Sequence, residues 1–179
     1  MITKGLIARL FEAASIQRWN DHVRPVEFTE LDKQAHKSII AYVLGKLEEQ
    51  ERQVSIDWRK LIEGGVFEFL QRVILTDIKP PVFHKIMSEK GDQINELVLR
   101  KLHDDISSVG GGFLEKFERY LFNKDYSRFE KRLLRAAHYL ATNWEFQIIY
   151  HMAPFVYGID RTREEIENQI EDHYDLIGV

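Results

Sequence analysis

The side chains best suited to bind a metal or transfer a proton are two histidines, His36 and His138, in segments with helical periodicity. Apolar residues recur beside each at steps of three and four, so His36 is expected to point inward and His138 to border its apolar band. An inward histidine is either a satisfied core residue or a metal ligand. The chain has no cysteine, so a metal ion would have to be held by His, Asp or Glu.

Two further segments present polar side chains between predicted helices. Residues 15–28 lack a sustained period and are interpreted as an ordered loop, which is where binding residues gather. That loop carries Arg18 and Trp19, which either bind a ligand or plug the edge of the core. Further along, two adjacent prolines stop a helix, so Asp77 and Lys79 are expected at a helix end.

The middle of the chain offers three more features. Glu68 and Arg72 are one turn apart in a predicted helix, where an ion pair would stabilise by roughly a few tenths of a kcal/mol. In the same helix, Gly64 and Gly65 either break the helix or let another backbone approach closely. The run SSVGGG at 107–112 lacks the preceding strand and the lysine of a phosphate loop, so it predicts a hinge between helices.

Apolar residues at three- and four-residue steps predict the helices that must position these side chains. Thr29 can cap the central helix, a break is expected at Lys90–Gly91, and the C-terminal helix is expected to be peripheral. The predicted helices are 3–14, 29–52, 57–76, 82–88, 92–106, 113–122, 126–151 and 161–174. No strand pattern and no long-period repeat are present, so the fold class is predicted to be all-α, a single compact helical domain 1–179 of about six to eight helices.

Composition and charge limit the classes of partner. The 179 residues (21.2 kDa) are 44% hydrophobic and 30% charged, which is typical of a globular protein that buries about 70% of its unfolded surface. The formal net charge of −4 gives no reason to expect a nucleic-acid partner. No run near 18 apolar residues and no signal-peptide pattern occurs, so we expect no membrane partner and a cytoplasmic location.

The order of these motifs resembles that of the HD-domain superfamily, and within it the bacterial 5′-deoxynucleotidases. The match begins with Ile16-Gln17-Arg18-Trp19 and continues in the helix that carries Gln34-Ala35-His36. It then includes VILTDIKPPV at 73–82 and KRLLRAAHYL at 131–140. The resemblance covers residues 6–144. It implies a helical fold, a metal-dependent phosphohydrolase activity and a homodimer, since the family commonly forms dimers.

The resemblance also implies a metal site that is altered in this chain. The family binds one divalent metal through a histidine, an adjacent His-Asp pair and a distant aspartate. His36 matches the first ligand, Glu68-Phe69 stands at the pair, and His138 replaces the last aspartate. His36, Glu68 and His138 would form a two-His, one-carboxylate site suited to Mn, Co, Zn or Fe. The alternative is a polar pocket without metal, in which Glu68 pairs with Arg72 or with a protonated histidine.

As a phosphohydrolase, the protein would act on a nucleotide or another phosphate monoester with these three ligands holding the metal. Arg18 and Trp19 match residues that contact the nucleotide in the family. Arg18, with Lys79 or Arg72, would hold phosphate, and Trp19 would position the sugar or base. Asp77, which is retained from the family pattern, would assist proton transfer.

Two other functions remain open from the sequence. A non-catalytic HD-like protein would keep the pocket to bind a nucleotide, another anion or a protein partner, as a sensor or interaction module. In that case Arg72, which replaces an acidic residue of the family, would attract an anion. The last alternative is an unrelated helical domain that binds a partner.

Overall fold

The computed structural model describes residues 1–20, 22–76, 78, 80–123 and 128–179. Within these residues the chain forms seven α-helices and no strand, so the predicted all-α class is confirmed. A single antiparallel bridge joins Gln17 to Thr29. The helices are α1 (Lys4–Ser15), α2 (Glu30–Arg52), α3 (Trp58–Ile74), α4 (Pro80–Ile106), α5 (Phe113–Leu121), α6 (Arg128–Met152) and α7 (Ile159–Glu171). None of the described helices is both long enough and apolar enough to cross a bilayer.

The chain divides into two compact units. The first unit contains residues 1–16 and 66–126, with α1, α4, α5 and the second half of α3. The second unit contains residues 17–65 and 127–179, with α2, α6, α7 and the first half of α3. Two adjacent glycines, Gly64 and Gly65, precede this division, and α3 runs through them unbroken, so of the two alternatives the break does not occur.

The first unit is built on a cluster of aromatic and aliphatic side chains. The Phe67 ring packs against the rings of Phe113, Phe117 and Tyr120 at centroid distances of 5.3–5.5 Å. Val98, Leu102 and Ile106 of α4 complete this core. The predicted break near residue 90 is confirmed, because Lys90 has non-helical backbone angles of φ −137° and ψ 27° and kinks α4.

The N-terminal helix is attached to α4 of the same unit by polar contacts. The Thr3 hydroxyl donates to the Asp105 carbonyl at 2.6 Å, and Arg9 forms an ion pair with the Asp105 carboxylate at 3.0 Å. A Cβ at Gly5 would meet the Asp105 carboxylate, so a larger residue there would displace that carboxylate from its present position.

The second unit is organised around α2 and α6, which pack along each other, with α7 against α6. One apolar cluster lies between α2, the start of α3 and α6, and a second lies between α6 and α7. Gly45 of α2 is needed for this packing, because a Cβ there would lie 2.8 Å from the Trp58 ring. The predicted start of α2 is confirmed: Thr29 accepts from the Asp32 amide, and the Asp32 carboxylate accepts from the Thr29 amide, which is a capping box.

The predicted orientation of α2 is wrong. His36, expected to point inward, is exposed, and so are Ile39, at 64%, and its apolar neighbours Leu31, Tyr42 and Val43. The face that is buried instead consists of Glu30, Lys33, Lys37, Ala41, Leu44, Gly45 and Glu48. This face is buried because its alanine and glycine let neighbouring segments approach closely. Its charged side chains can be buried because polar groups of the same unit pair with them.

Candidate functional site

The candidate site is a buried cluster of charged side chains within the second unit. At its centre Arg18, from the loop before α2, binds Glu145 of α6 through Nε and Nη2, both at 2.9 Å from Oε2. Its Nη1 contacts Oε2 of Glu30, in the first turn of α2, at 3.1 Å. The Glu145 and Glu30 side chains are 2% and 8% exposed. Buried ions are tolerated only when paired and hydrogen-bonded, so this geometry ties the loop to both helices.

Trp19 also binds the Glu145 carboxylate. Its indole Nε1 donates to Glu145 Oε2 at 2.7 Å, and its ring packs against Phe146 with a centroid distance of 5.9 Å. The backbone of Trp19 has a φ of 57°, in the left-handed region that costs a bulky residue of order 1 kcal/mol or more. These contacts offset the cost of this conformation, and so does the hydrogen bond that the His22 amide donates to the Trp19 carbonyl at 3.0 Å.

A lysine and a histidine form the second part of the cluster. Lys33 of α2, only 3% exposed, places its Nζ 3.0 Å from Nε2 of His138 on α6. Which of the two nitrogens donates in this contact depends on the tautomer of the His138 ring. The ring of Tyr139 lies edge-on to His138 at 5.2 Å, and the Thr142 hydroxyl donates to the His138 carbonyl at 2.8 Å.

The charged residues continue along the inward face of α2. Lys37 is buried one turn after Lys33, and Glu48, near the end of the helix, is fully buried. Glu48 accepts from the Ile177 amide at 2.7 Å, which ties the C-terminal segment to α2. Glu130, at the start of α6, accepts from the Asp57 amide at 2.9 Å. Glu48 and Glu130 therefore each bind a backbone amide of a segment beside the α2–α6 pair.

His173 is a second buried histidine of this unit. It is 4% exposed, and both of its ring nitrogens are buried without a hydrogen-bond partner among the described residues. Burial lowers the pKa of His173, and the charges of Arg132 and Arg135 lower it further, while Asp172 raises it. The ring stacks on Tyr139 at 6.4 Å, and burial raises the pKa of the Tyr139 hydroxyl. His173 is therefore held as a neutral imidazole at neutral pH.

Two predicted site residues lie in the first unit and have contacts there. The Tyr120 hydroxyl donates a short hydrogen bond to the Glu68 carboxylate. The guanidinium of Arg72 lies over the ring of Phe83, 4.8 Å from its centroid, in a cation–π contact. Asp77 and Lys79, predicted for proton transfer and phosphate binding, lie outside the described residues.

The surroundings of His138 do not suit a metal ion. The Lys33 amine lies 3.0 Å from Nε2 of His138, so a metal ion at that nitrogen would have to displace it. Within the described part of the chain there is no group of three or more His, Asp or Glu side chains that could hold a metal. The predicted ligands belong to different units, with Glu68 in the first and the histidines in the second, so the proposed metal set stays a prediction.

Arg18, Trp19 and His138 were predicted as site residues from the sequence, but the partners that define their roles were not. Glu145 was not singled out, although it lies seven residues after His138 and hence on the same face of α6. Lys33 was not singled out either, although it shares the three- and four-residue steps of Ala41 and Leu44. That spacing is the signal that could have placed it on the inward face.

Comparison with known proteins does not identify the chain. No protein-family model matches it, and no curated protein matches it.

Proposed function

We propose that this protein is an HD-like helical module that binds a protein partner and does not hydrolyse a phosphate ester. The observation that carries this proposal is the contact between Lys33 Nζ and His138 Nε2 at 3.0 Å. A metal ligand must offer its lone pair to the metal, and here the Lys33 amine occupies the position beside that nitrogen.

The contacts of Arg18 and Trp19 support the same conclusion. In a phosphohydrolase these residues would bind the phosphate and the sugar or base. Their donor groups instead bind the buried Glu145 carboxylate, and Arg18 also binds Glu30. A phosphate that recruited Arg18 would leave two buried carboxylates without their counter-charge, which costs about 3–5 kcal/mol when a buried pair is broken. Their role is therefore to hold the loop against α2 and α6.

The exposed face of α2 favours a protein as the ligand. Ile39, Tyr42 and Val43 lie side by side on this helix and are 64%, 55% and 47% exposed. Contiguous exposed apolar side chains of this kind are typical of protein-binding surfaces. The centre of this face offers aliphatic and aromatic area, which a protein covers better than a nucleotide or a free phosphate does.

Metal analysis with a hydrolysis assay tests the proposal. The full chain, purified without chelator and then loaded with Mn, Co, Zn or Fe, is expected to bind no stoichiometric metal. It is also expected to hydrolyse no deoxynucleoside monophosphate or other phosphomonoester above the level of His36→Ala and His138→Ala. Lys33→Met is the informative variant, because it removes the amine from beside His138, and Lys101→Met, at an exposed position of α4, is its control.

The outcome that overturns the proposal is also specific. Stoichiometric metal in the wild-type protein, lost together with hydrolytic activity in His138→Ala, would establish the phosphohydrolase instead. A deoxynucleoside monophosphate that raises the melting temperature of the wild-type protein but not of Arg18→Met would replace the protein partner with a nucleotide.

A further inference from the structure

Residues 172–179, which follow α7, form turns and lie against α2 and α6 of the second unit. The Ile177 amide donates to the buried Glu48 carboxylate of α2 at 2.7 Å. The Leu176 side chain is 2% exposed and packs in the apolar cluster of α2 and α6. A terminal segment of turns is expected to open at a lower free energy than the helices beneath it. We call residues 172–179 the C-terminal segment.

The C-terminal segment covers apolar side chains of both helices. A Cβ on Gly178 would lie 2.7 Å from the Leu47 side chain and 3.5 Å from that of Leu44, so the backbone of the segment lies directly on α2. On α6, the Tyr139 ring stacks on His173 with a centroid distance of 6.4 Å. Opening of the segment would therefore uncover an apolar strip that consists of Leu44, Leu47 and Tyr139.

His173 belongs to the C-terminal segment, and its ring is buried without a polar partner. It is 4% exposed, and neither ring nitrogen has a hydrogen-bond partner among the described residues. A neutral imidazole in this position leaves polar atoms unpaired, and a protonated one would also bury a charge. The closed segment therefore tolerates the neutral ring better than the protonated ring.

The charged groups that face His173 also oppose its protonation. Burial lowers the pKa of His173 most, and the charges of Arg132 and Arg135 on α6 lower it further, while the neighbouring Asp172 raises it. Arginine stays charged throughout the physiological range, so this repulsion does not change with pH. The Tyr139 hydroxyl stays neutral, because burial raises its pKa.

The other titratable groups that contact the segment or Tyr139 have partners. Asp175 forms an ion pair with Arg132, and the Glu48 carboxylate accepts from the backbone of the segment. His138 lies edge-on to the Tyr139 ring at 5.2 Å and has its own polar contact on α2. Protonation of His173 is therefore the change that opposes the packing of this segment most directly.

We propose that the C-terminal segment is a pH-sensitive latch, which opens locally when His173 is protonated and uncovers the strip of Leu44, Leu47 and Tyr139. At neutral pH the ring is neutral and the segment is closed. In acid the imidazolium moves into water, while the helices beneath it stay folded. This inference goes beyond the binding function proposed above, because that function concerns the exposed face of α2 and not the covered strip.

Proton linkage gives the direction and the size of the effect. In the open state the imidazole is in water and has its ordinary pKa of about 6.5, so the open state binds the proton more readily than the closed state. Each pH unit below about 6.5 therefore raises the open population by at most about tenfold. Above about pH 7.5 both states are neutral and the effect is absent.

Hydrogen exchange of the Ile177 amide in the full chain, measured by NMR and corrected for the intrinsic exchange rate, tests the latch. Its protection factor is expected to be lower than that of the buried Ala141 amide in α6 at every pH, because the segment opens without unfolding of the helices. Between about pH 7.5 and 5.5 the protection factor of Ile177 is expected to fall by about five- to tenfold.

Substitution of His173 tests whether this residue is the group that titrates. His173→Phe keeps a ring against Tyr139, and His173→Leu is a second variant that does not titrate. In both, the protection factor of Ile177 is expected to change by less than about twofold over the same pH range. Tyr174→Phe, at a neighbouring position that is 61% exposed, is the matched control and should keep the wild-type pH dependence. Circular dichroism checks that all variants remain helical.

Three results would overturn the inference. Equal protection of Ile177 and Ala141 would show that the segment opens only when the whole unit unfolds. A protection factor of Ile177 that does not change with pH in the wild type would exclude a pH-sensitive latch. A wild-type pH dependence in both His173 variants would assign the titration to another group, such as Glu48 or His138.

Discussion

The inward and outward faces of α2 differ in the opposite sense to those of an ordinary amphipathic helix. The inward face begins with Glu30, Lys33 and Lys37, all buried, whereas the outward face carries Ile39 and Tyr42, which are more than half exposed. Charged side chains are buried here because the neighbouring loop and α6 supply their partners. The apolar side chains of the outward face need no charged partner, and they are suited to contact with another apolar surface. The fate of each side chain is therefore decided by its tertiary partners more than by its own polarity.

Glu145 is the carboxylate that Arg18 and Trp19 share in the buried cluster. We expect Glu145→Ala to lower the free energy of unfolding by about 3–5 kcal/mol, because it leaves the buried Arg18 guanidinium without its main partner. Urea denaturation measures this loss. Gln50→Ala, on the exposed side of α2, is the control and is expected to change stability by less than about 0.5 kcal/mol.

A double variant checks that the loss comes from the cluster. Arg18→Met combined with Glu145→Ala is expected to cost less than the sum of the two single substitutions, since both remove the same contact. A loss below about 1 kcal/mol for Glu145→Ala alone would contradict a buried ion pair at this position.

Local features of the fold could be predicted from the sequence, because their causes lie within a few residues. Thr29 and Asp32 form the capping box that begins α2, and Lys90 breaks α4 as expected. The orientation of α2 could not be predicted in this way. The partner of Lys33 is 105 positions later in the chain, and a count of apolar residues contains no information about it.

The roles of the candidate site residues could not be predicted for the same reason, because they depend on partners far along the chain. Arg18 and Trp19 were identified because a tryptophan beside an arginine in a loop is chemically conspicuous. Their structural role depends on Glu145, which is 127 residues after Arg18, so the loop sequence alone left ligand binding and core packing equally open. The contacts favour the second alternative, in which Trp19 closes the edge of the core against Phe146.

The ring nitrogens of His173 are buried without a hydrogen-bond partner among the described residues, unlike the paired groups of the cluster. This difference should affect how stability depends on pH. Burial, Arg132 and Arg135 lower the pKa of His173 below its ordinary value of about 6.5. The unfolded chain therefore binds this proton more readily than the folded chain, and stability falls as the pH drops below about 6.5 towards the folded pKa. The slope from one proton is at most about 1.4 kcal/mol per pH unit.

The variant His173→Phe sharpens this test, because phenylalanine keeps a ring against Tyr139 but does not titrate. We expect its free energy of unfolding, measured by urea denaturation between about pH 5 and 7, to decrease less on acidification than that of the wild type. Tyr174→Phe, at an exposed position beside His173, is the control, because it removes no histidine and should keep the wild-type slope. Parallel curves for all three proteins would contradict a depressed pKa for His173.

The smallest expected effect lies at the end of α2, where both faces stop. Gln53 ends the helix in the left-handed conformation, with φ 57° and ψ 31°, and its amide donates to the Glu48 carbonyl. Glycine adopts this conformation without the steric cost that glutamine has, so Gln53→Gly is expected to stabilise the protein by about 0.5–1 kcal/mol. The same change three residues earlier, Gln50→Gly, lies within α2 and is expected to destabilise by about 1 kcal/mol. Thermal unfolding of the two variants should therefore shift in opposite directions from the wild type. A loss of stability in both would mean that Gln53 is not held in the left-handed region and that the helical face of α2 continues beyond Arg52.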